Sequence, residues 1–154
     1  MGSSIAEAIL FRASGDDGMG TWSCEPYGND TANDWAYGLD ERRDFSLVEE
    51  TIRAVLDNGD DYLDADLAVE AIAAVEVLAK ALGRGTQSDA YTEKVDAWLR
   101  TVSTPPTATL LADARRALDR ILGPDSELNE LWEESDGHAE WIETVRAQQA
   151  ALAG

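Results

Sequence analysis

The sequence predicts an all-α fold, a single compact domain of about six to eight mostly antiparallel helices joined by short loops. Three observations carry this reading. No stretch alternates apolar and polar residues long enough to demand a strand. Apolar residues instead recur at three- and four-residue spacing along most of the chain. Capping residues and Gly or Pro breaks separate these runs.

Residues 1–18 read as an N-terminal extension. Ser4 and Glu7 form a capping box ahead of Ala8, Ile9, Leu10 and Phe11, which predicts a short helix, and Ser14 to Gly18 is a flexible linker. Residues 19–154 then form the helical domain, with a short extended piece expected within 19–28. A helix starting near Asn29 to Thr31 places Ala32, Trp35, Ala36 and Leu39 on one face, capped by Asn29 or Asp30. The next carries a capping box, Ser46 with Glu49, and an apolar stripe of Val48, Ile52, Val55 and Leu56 that stops at Asn58-Gly59.

A long helix from Asp64 or Asp66 to Leu82 follows, closed by Gly83. Residues 89–102 predict a helix burying Tyr91, Val95, Trp98 and Leu99, ended by Pro105-Pro106. Leu110, Leu111, Ala114, Leu118, Ile121 and Leu122 define another, ended by Gly123-Pro124. A short helix carries Leu128 to Trp132, and a final one, beyond Asp136 or Gly137, carries Trp141, Ile142 and Val145.

At 154 residues the chain can build one core unaided. The 31 acidic and 12 basic residues give a formal charge of −19, which repels nucleic-acid phosphates and anionic membranes and favours basic partners. The single cysteine, Cys24, permits no intramolecular disulfide and no Cys-based metal cluster. No apolar run approaches the roughly 20 residues of a membrane span. The N-terminus has no basic region of the signal-peptide kind, so a cytoplasmic protein is the expectation.

The stretch from Met19 departs from generic acidic helix. Met19, Gly20, Trp22, Pro26, Tyr27, Asn29, Asp30, Ala32, Asp34 and Trp35 form its pattern. It resembles an uncharacterised family of small acidic bacterial proteins that open Met-Gly-x-Trp-Gly and continue through Asn-Asp into an Ala-rich helix carrying Trp. Asp125 to Leu128 and Leu131 to Glu134 resemble that family's end segment, so the likeness runs from residue 19 to about 145. Ser23 and Glu25 stand where the family has glycines, and Tyr27 where it has Phe. The resemblance implies an all-α fold with Met19 as the natural start, and brings no known activity.

Trp22 and Tyr27 are large apolar groups with polar handles. They either pin the N-terminus to the core or, with Asp30, Asp34 and Trp35, line a ligand pocket. No catalytic constellation stands out. Cys24 is followed by Glu25, which disfavours a thiolate, and His138 is remote in sequence. The aspartates Asp57, Asp60, Asp61 and Asp64 offer the oxygen ligands Ca2+ prefers. Their register fails the EF-hand pattern, because Gly59 falls at its third position. No cofactor is otherwise expected.

Charge is concentrated in two blocks. Seven acids and no base lie between Arg53 and Lys80, and eight acids and no base between Arg120 and Arg146. Trp132 and Trp141 sit in the second, beside Glu133 and Glu134. Acidic rims around Trp anchors suit a basic protein surface, since charge steers encounter and the aromatic ring supplies affinity. The leading expectation is a non-enzymatic module that masks a basic partner, as an immunity protein or inhibitor does. The alternatives are a small-ligand or Ca2+-binding module using the Trp22–Trp35 region or the Asp57–Asp66 loop, and an enzyme of unrecognised type.

Overall fold

The computed structural model describes residues 24–153. They form seven α-helices: α1 (Asp30–Ala36), α2 (Ser46–Asp57), α3 (Ala65–Ala81), α4 (Glu93–Leu99), α5 (Ala108–Leu122), α6 (Glu127–Glu133) and α7 (His138–Ala153). Short 3-10 turns lie at Tyr37–Glu41 and Ala90–Thr92. The predicted all-α fold is therefore present. The expected helix within residues 1–18, and Trp22 with it, lies outside the described residues.

The centre of the molecule is α3, which touches each of the other six α-helices. Its sequence explains this. Ala65, Ala68, Ala71, Ala73, Ala74 and Ala79 are all buried, and Val69, Ile72, Val75, Val77 and Leu78 fill the remaining directions. A helix that is apolar on most sides belongs in a core, and small alanines let neighbouring backbones approach closely. The neighbours present one stripe each: Val48, Ile52 and Val55 from α2, Leu110, Ala114, Leu118 and Ile121 from α5, and Trp141, Val145 and Leu152 from α7. Each fully buried large apolar side chain contributes about 1.5–3 kcal/mol.

Helix ends follow their local chemistry. Asn29 caps α1 by accepting the Ala32 N–H at 2.7 Å, which resolves the choice between Asn29 and Asp30. Asp64 caps α3, Thr107 caps α5 and Ser126 caps α6. Gly59 and Gly83, at φ +62° and +77°, follow the ends of α2 and α3 in the left-handed conformation that glycine adopts without strain. Leu63 and Ser126 form an isolated parallel bridge, and Leu63 N–H donates to the Asp125 carbonyl at 2.8 Å.

Several expectations are corrected. Ser46 does not cap α2. The Asp44 carboxylate, two residues earlier, takes both the Ser46 N–H (3.0 Å) and its hydroxyl (2.6 Å), and no Ser46–Glu49 box forms. The 89–102 segment is not one helix. Asp89 and Thr92 make a capping box around a 3-10 turn, and α4 covers only Glu93–Leu99. Tyr91 is consequently turned outward and 58% exposed. Residues 25–28 form a turn, closed by Gly28 N–H to the Glu25 carbonyl at 3.1 Å, and residues 19–23, where the rest of the expected extended piece falls, lie outside the described residues.

Candidate functional site

The second acidic block folds into a corner between α6 and α7. Leu128 and Leu131 anchor α6 in the core. The chain then reverses through Ser135, whose hydroxyl donates to the Trp132 carbonyl at 2.8 Å and accepts the Gly137 N–H at 3.1 Å. Gly137 permits a close approach, since a Cβ there would stand 3.2 Å from the Trp132 ring. This turn brings Trp132 and Trp141 into a near-parallel stack, with ring centres 6.0 Å apart and planes 10° apart. His138 also stacks on Trp141 at 6.1 Å, and its Nε2 meets Asn129 Oδ1 at 2.9 Å.

The two tryptophans therefore have different surroundings. Trp141 is only 3% exposed and is a core residue, so of the two tryptophans in this block Trp132 alone is placed to act as a surface anchor. Trp132 is half-buried at the rim. Glu133, Glu134, Asp136, Glu140 and Glu143 are exposed around it, and none of them pairs with a basic side chain among the described residues. Elsewhere some acids are paired, as in Arg42–Glu50 at 2.7 Å, Lys80–Asp96 at 3.0 Å and Arg116–Asp113 at 2.6 Å, and others, such as Asp34, Asp60 and Glu93, are exposed without an ion pair among the described residues. What sets the α6–α7 face apart is that its unpaired acids accompany a half-buried tryptophan.

A groove of about 600 Å³ continues from this corner along α7, lined by Cys24, Glu25, Thr86, Glu140, Glu143 and Thr144 among others. Its electrostatics are legible in the groups beside it. Burial, then Glu140 and Glu25, push the Cys24 thiol up to about 11. Burial, then Asp89 and Glu76, raise the Glu25 carboxyl above its ordinary value. The carboxylates of Glu25 and Glu140 are the part of this effect that favours a cation, whereas burial, the larger part, acts against any charge. Beneath it, a cavity of about 20 Å³ bounded by Cys24, Asn29, Ile72, Trp132 and Trp141 has room for about one water.

The residues expected to line a pocket at the N-terminal turn diverge. Tyr27 is fully buried, its hydroxyl donating to the Ala73 carbonyl at 3.0 Å and its N–H to Gln87 Oε1 at 2.8 Å. Trp35 is half-buried and donates its Nε1–H to Thr51 Oγ1 at 2.9 Å, tying α1 to α2. Asp30 and Asp34 are exposed on α1. Tyr27 thus plays the pinning role.

Sequence reasoning missed the group that receives this pin. Glu76 is fully buried in the middle of α3, yet its carboxylate is well supplied with donors. It accepts from Thr86 N–H (2.6 Å), Thr86 hydroxyl (2.7 Å), Gln87 N–H (2.9 Å) and Gln148 Nε2 (3.2 Å). All are neutral donors, which satisfy a buried carboxylate without an ion pair. The signal was available: a lone Glu in an otherwise apolar helix turn, Ala73 to Ala79, is conspicuous.

The aspartate loop has a resident cation. Arg120 donates to the carbonyls of Gly59 (3.1 Å), Asp61 (2.7 Å) and Pro124 (2.8 Å). Asp57, Asp60 and Asp61 are exposed, and Asp64 is committed to capping α3 through the Asp66 N–H at 2.9 Å. Among the described residues no group of three or more His, Cys, Asp or Glu side chains is arranged to hold a metal ion. No helix among them is long and apolar enough to cross a membrane. The Cys24 thiol points to the Gly137 carbonyl at 3.9 Å, and His138 is engaged with Asn129, so the two do not form a nucleophile–base pair.

No curated protein matches the chain, and no solved structure matches it. The model of a family described as Domain of unknown function (DUF4259) matches residues 20–144. With the all-α architecture and the N-terminal turn now in place, that match covers most of the chain, which belongs to this family of unknown function.

Proposed function

We propose that this protein is a non-enzymatic binding module of the cytoplasm, whose α6–α7 face and adjoining groove cover a basic surface of another protein. The observation that carries the proposal is the set Glu133, Glu134, Asp136, Glu140 and Glu143, exposed and unpaired with any described basic side chain around half-buried Trp132. Such a face steers a basic partner by long-range attraction, and Trp132 supplies apolar contact at its centre. A lysine or arginine entering the groove meets Glu140 and Glu143. The formal charge of −19 disfavours direct contact with nucleic acid. The lone thiol, with no disulfide partner in the sequence, fits a reducing compartment.

Affinity capture from host lysate at low and high salt, with mass spectrometry, tests the proposal. The expected result is a stoichiometric basic partner released as salt rises. Absence of any partner at either salt contradicts it.

A further inference from the structure

We infer that the groove between the C-terminal ends of α3 and α4 and the loop of residues 100–106 binds a small amphipathic carboxylate, an apolar tail carrying one anionic head. The groove is about 410 Å³, within the lower part of the range of small-molecule sites. Phe45, Leu99, Val102 and Pro105 give it apolar walls, and Lys80 and Arg100 supply positive charge. No Asp or Glu lines it, in a chain with 31 acidic residues against 12 basic ones.

The two cations are not equivalent. Lys80 Nζ already holds Asp96 at 3.0 Å and its side chain is 8% exposed, so its charge is largely offset by that partner. Arg100 is exposed and has no ion pair with another described residue. A planar guanidinium receives a carboxylate through two parallel N–H donors, which makes Arg100 the head-group residue.

The apolar part is preformed. Phe45 packs edge-on against Trp98 with ring centres 5.9 Å apart, and Trp98 Nε1 is fixed by the Arg42 carbonyl at 2.7 Å. Helix C-termini ordinarily oppose an anion, but here several of the final carbonyls are occupied. Leu82 and Gly83 N–H cover those of Ala79 and Lys80, both at 3.1 Å or less, and Thr101 N–H and hydroxyl cover that of Trp98 at 2.9 and 2.7 Å. Because the whole protein repels anions, saturable binding of one reports local chemistry.

The test is titration of the full chain with octanoate at about 150 mM salt, followed by amide chemical shifts, with 1-octanol as the uncharged counterpart and Arg100→Gln as the variant. Arg100 has no ion pair among the described residues to lose, and an unchanged spectrum away from the groove verifies the fold. The expected result is saturable shifts centred on Phe45, Leu99 and Val102, about fivefold weaker binding in Arg100→Gln, and weaker binding of octanol than octanoate. Shifts that fail to saturate, shifts centred elsewhere, equal octanoate affinity in the variant, or octanol binding as tightly as octanoate overturn the assignment.

Discussion

The buried carboxylate of Glu76 accepts the backbone N–H of Gln87 at 2.9 Å, and through this contact the core helix holds the loop that in turn holds the N-terminal turn. Gln87 Oε1 accepts the Tyr27 N–H, and Gln148 reaches Glu76 from α7. One carboxylate therefore joins three segments distant in sequence. Glu76→Ala leaves the buried donors of Gln87 and Gln148 without their acceptor, and is expected to cost about 2–5 kcal/mol. Urea unfolding checks this, and a loss below about 1 kcal/mol would mean the network is incidental.

Tyr27 separates a structural from a ligand-binding role for the N-terminal turn. Tyr27→Phe deletes only the hydroxyl bond to the Ala73 carbonyl and is expected to cost about 1 kcal/mol. Tyr27→Ala empties a fully buried site and is expected to cost about 3–5 kcal/mol. Thermal or urea unfolding of the pair gives the ratio; near-equal small losses would contradict a core role.

Arg120 governs the aspartate loop. Arg120→Lys keeps the charge but loses the planar fork that spans several carbonyls, so it is expected to behave like Arg120→Ala. Either substitution is expected to cost about 1–2 kcal/mol and to speed hydrogen exchange in residues 58–63. Wild-type melting temperature is expected to stay constant on adding Ca2+, because Arg120 already engages the loop carbonyls. A saturable rise with Ca2+ would contradict this.

The start of α3 gives a pH dependence with a definite sign. Burial, then Asp64 and Glu127, raise the Asp66 carboxyl, and burial, then Asp66 and Asp64, raise that of Glu70. A carboxyl with a raised folded value binds its proton more readily in the folded state. Its penalty is complete above the raised value and absent below the ordinary carboxylate range, so this cluster adds stability as pH falls through that interval. Asp66 Oδ1 is also buried without a hydrogen-bond partner among the described residues. Asp66→Asn is expected to gain a few tenths to about 1 kcal/mol at neutral pH and to flatten this part of the stability curve. Unchanged or lower stability at neutral pH would contradict the account.

Cys24 responds first to burial and then to the charges of Glu140 and Glu25, and Glu140→Gln isolates the second contribution. A thiol at about 11 against an ordinary 9.0 is about a hundredfold less ionised at pH 8. Alkylation by iodoacetamide is expected to be slow in the folded protein, fast on unfolding, and accelerated by Glu140→Gln. Wild-type labelling at the rate of the unfolded chain would contradict the electrostatic picture.

Much of the fold was legible because helix periodicity, Gly59, Gly83 and the Pro breaks are local signals. The errors are also local competitions. Asp44 outcompeted the Ser46–Glu49 box by offering a carboxylate to the same N–H and hydroxyl, and Asp89 with Thr92 tightened a predicted α-turn into 3-10, rotating Tyr91 outward. The site was less legible because it depends on chain reversals. Composition placed Trp132 and Trp141 alike amid acids, but only the Ser135–Gly137 turn decides that one lies at the rim and the other beneath it. Pairing of Arg120 with the aspartate loop joins positions about sixty residues apart, a distance at which periodicity is silent.

The most direct test of basic-partner masking compares two charge variants on the captured partner. One carries Glu133→Gln, Glu134→Gln, Glu140→Gln and Glu143→Gln; the other carries Asp34→Asn, Glu41→Gln, Asp60→Asn and Glu93→Gln, exposed acids outside α6 and α7. Both lose the same formal charge. Affinity of each across a range of salt is expected to fall at least tenfold, with a shallower salt dependence, for the first variant and to change little for the second. Equal losses in both would show that net charge alone attracts the partner and would contradict a docking face at α6 and α7.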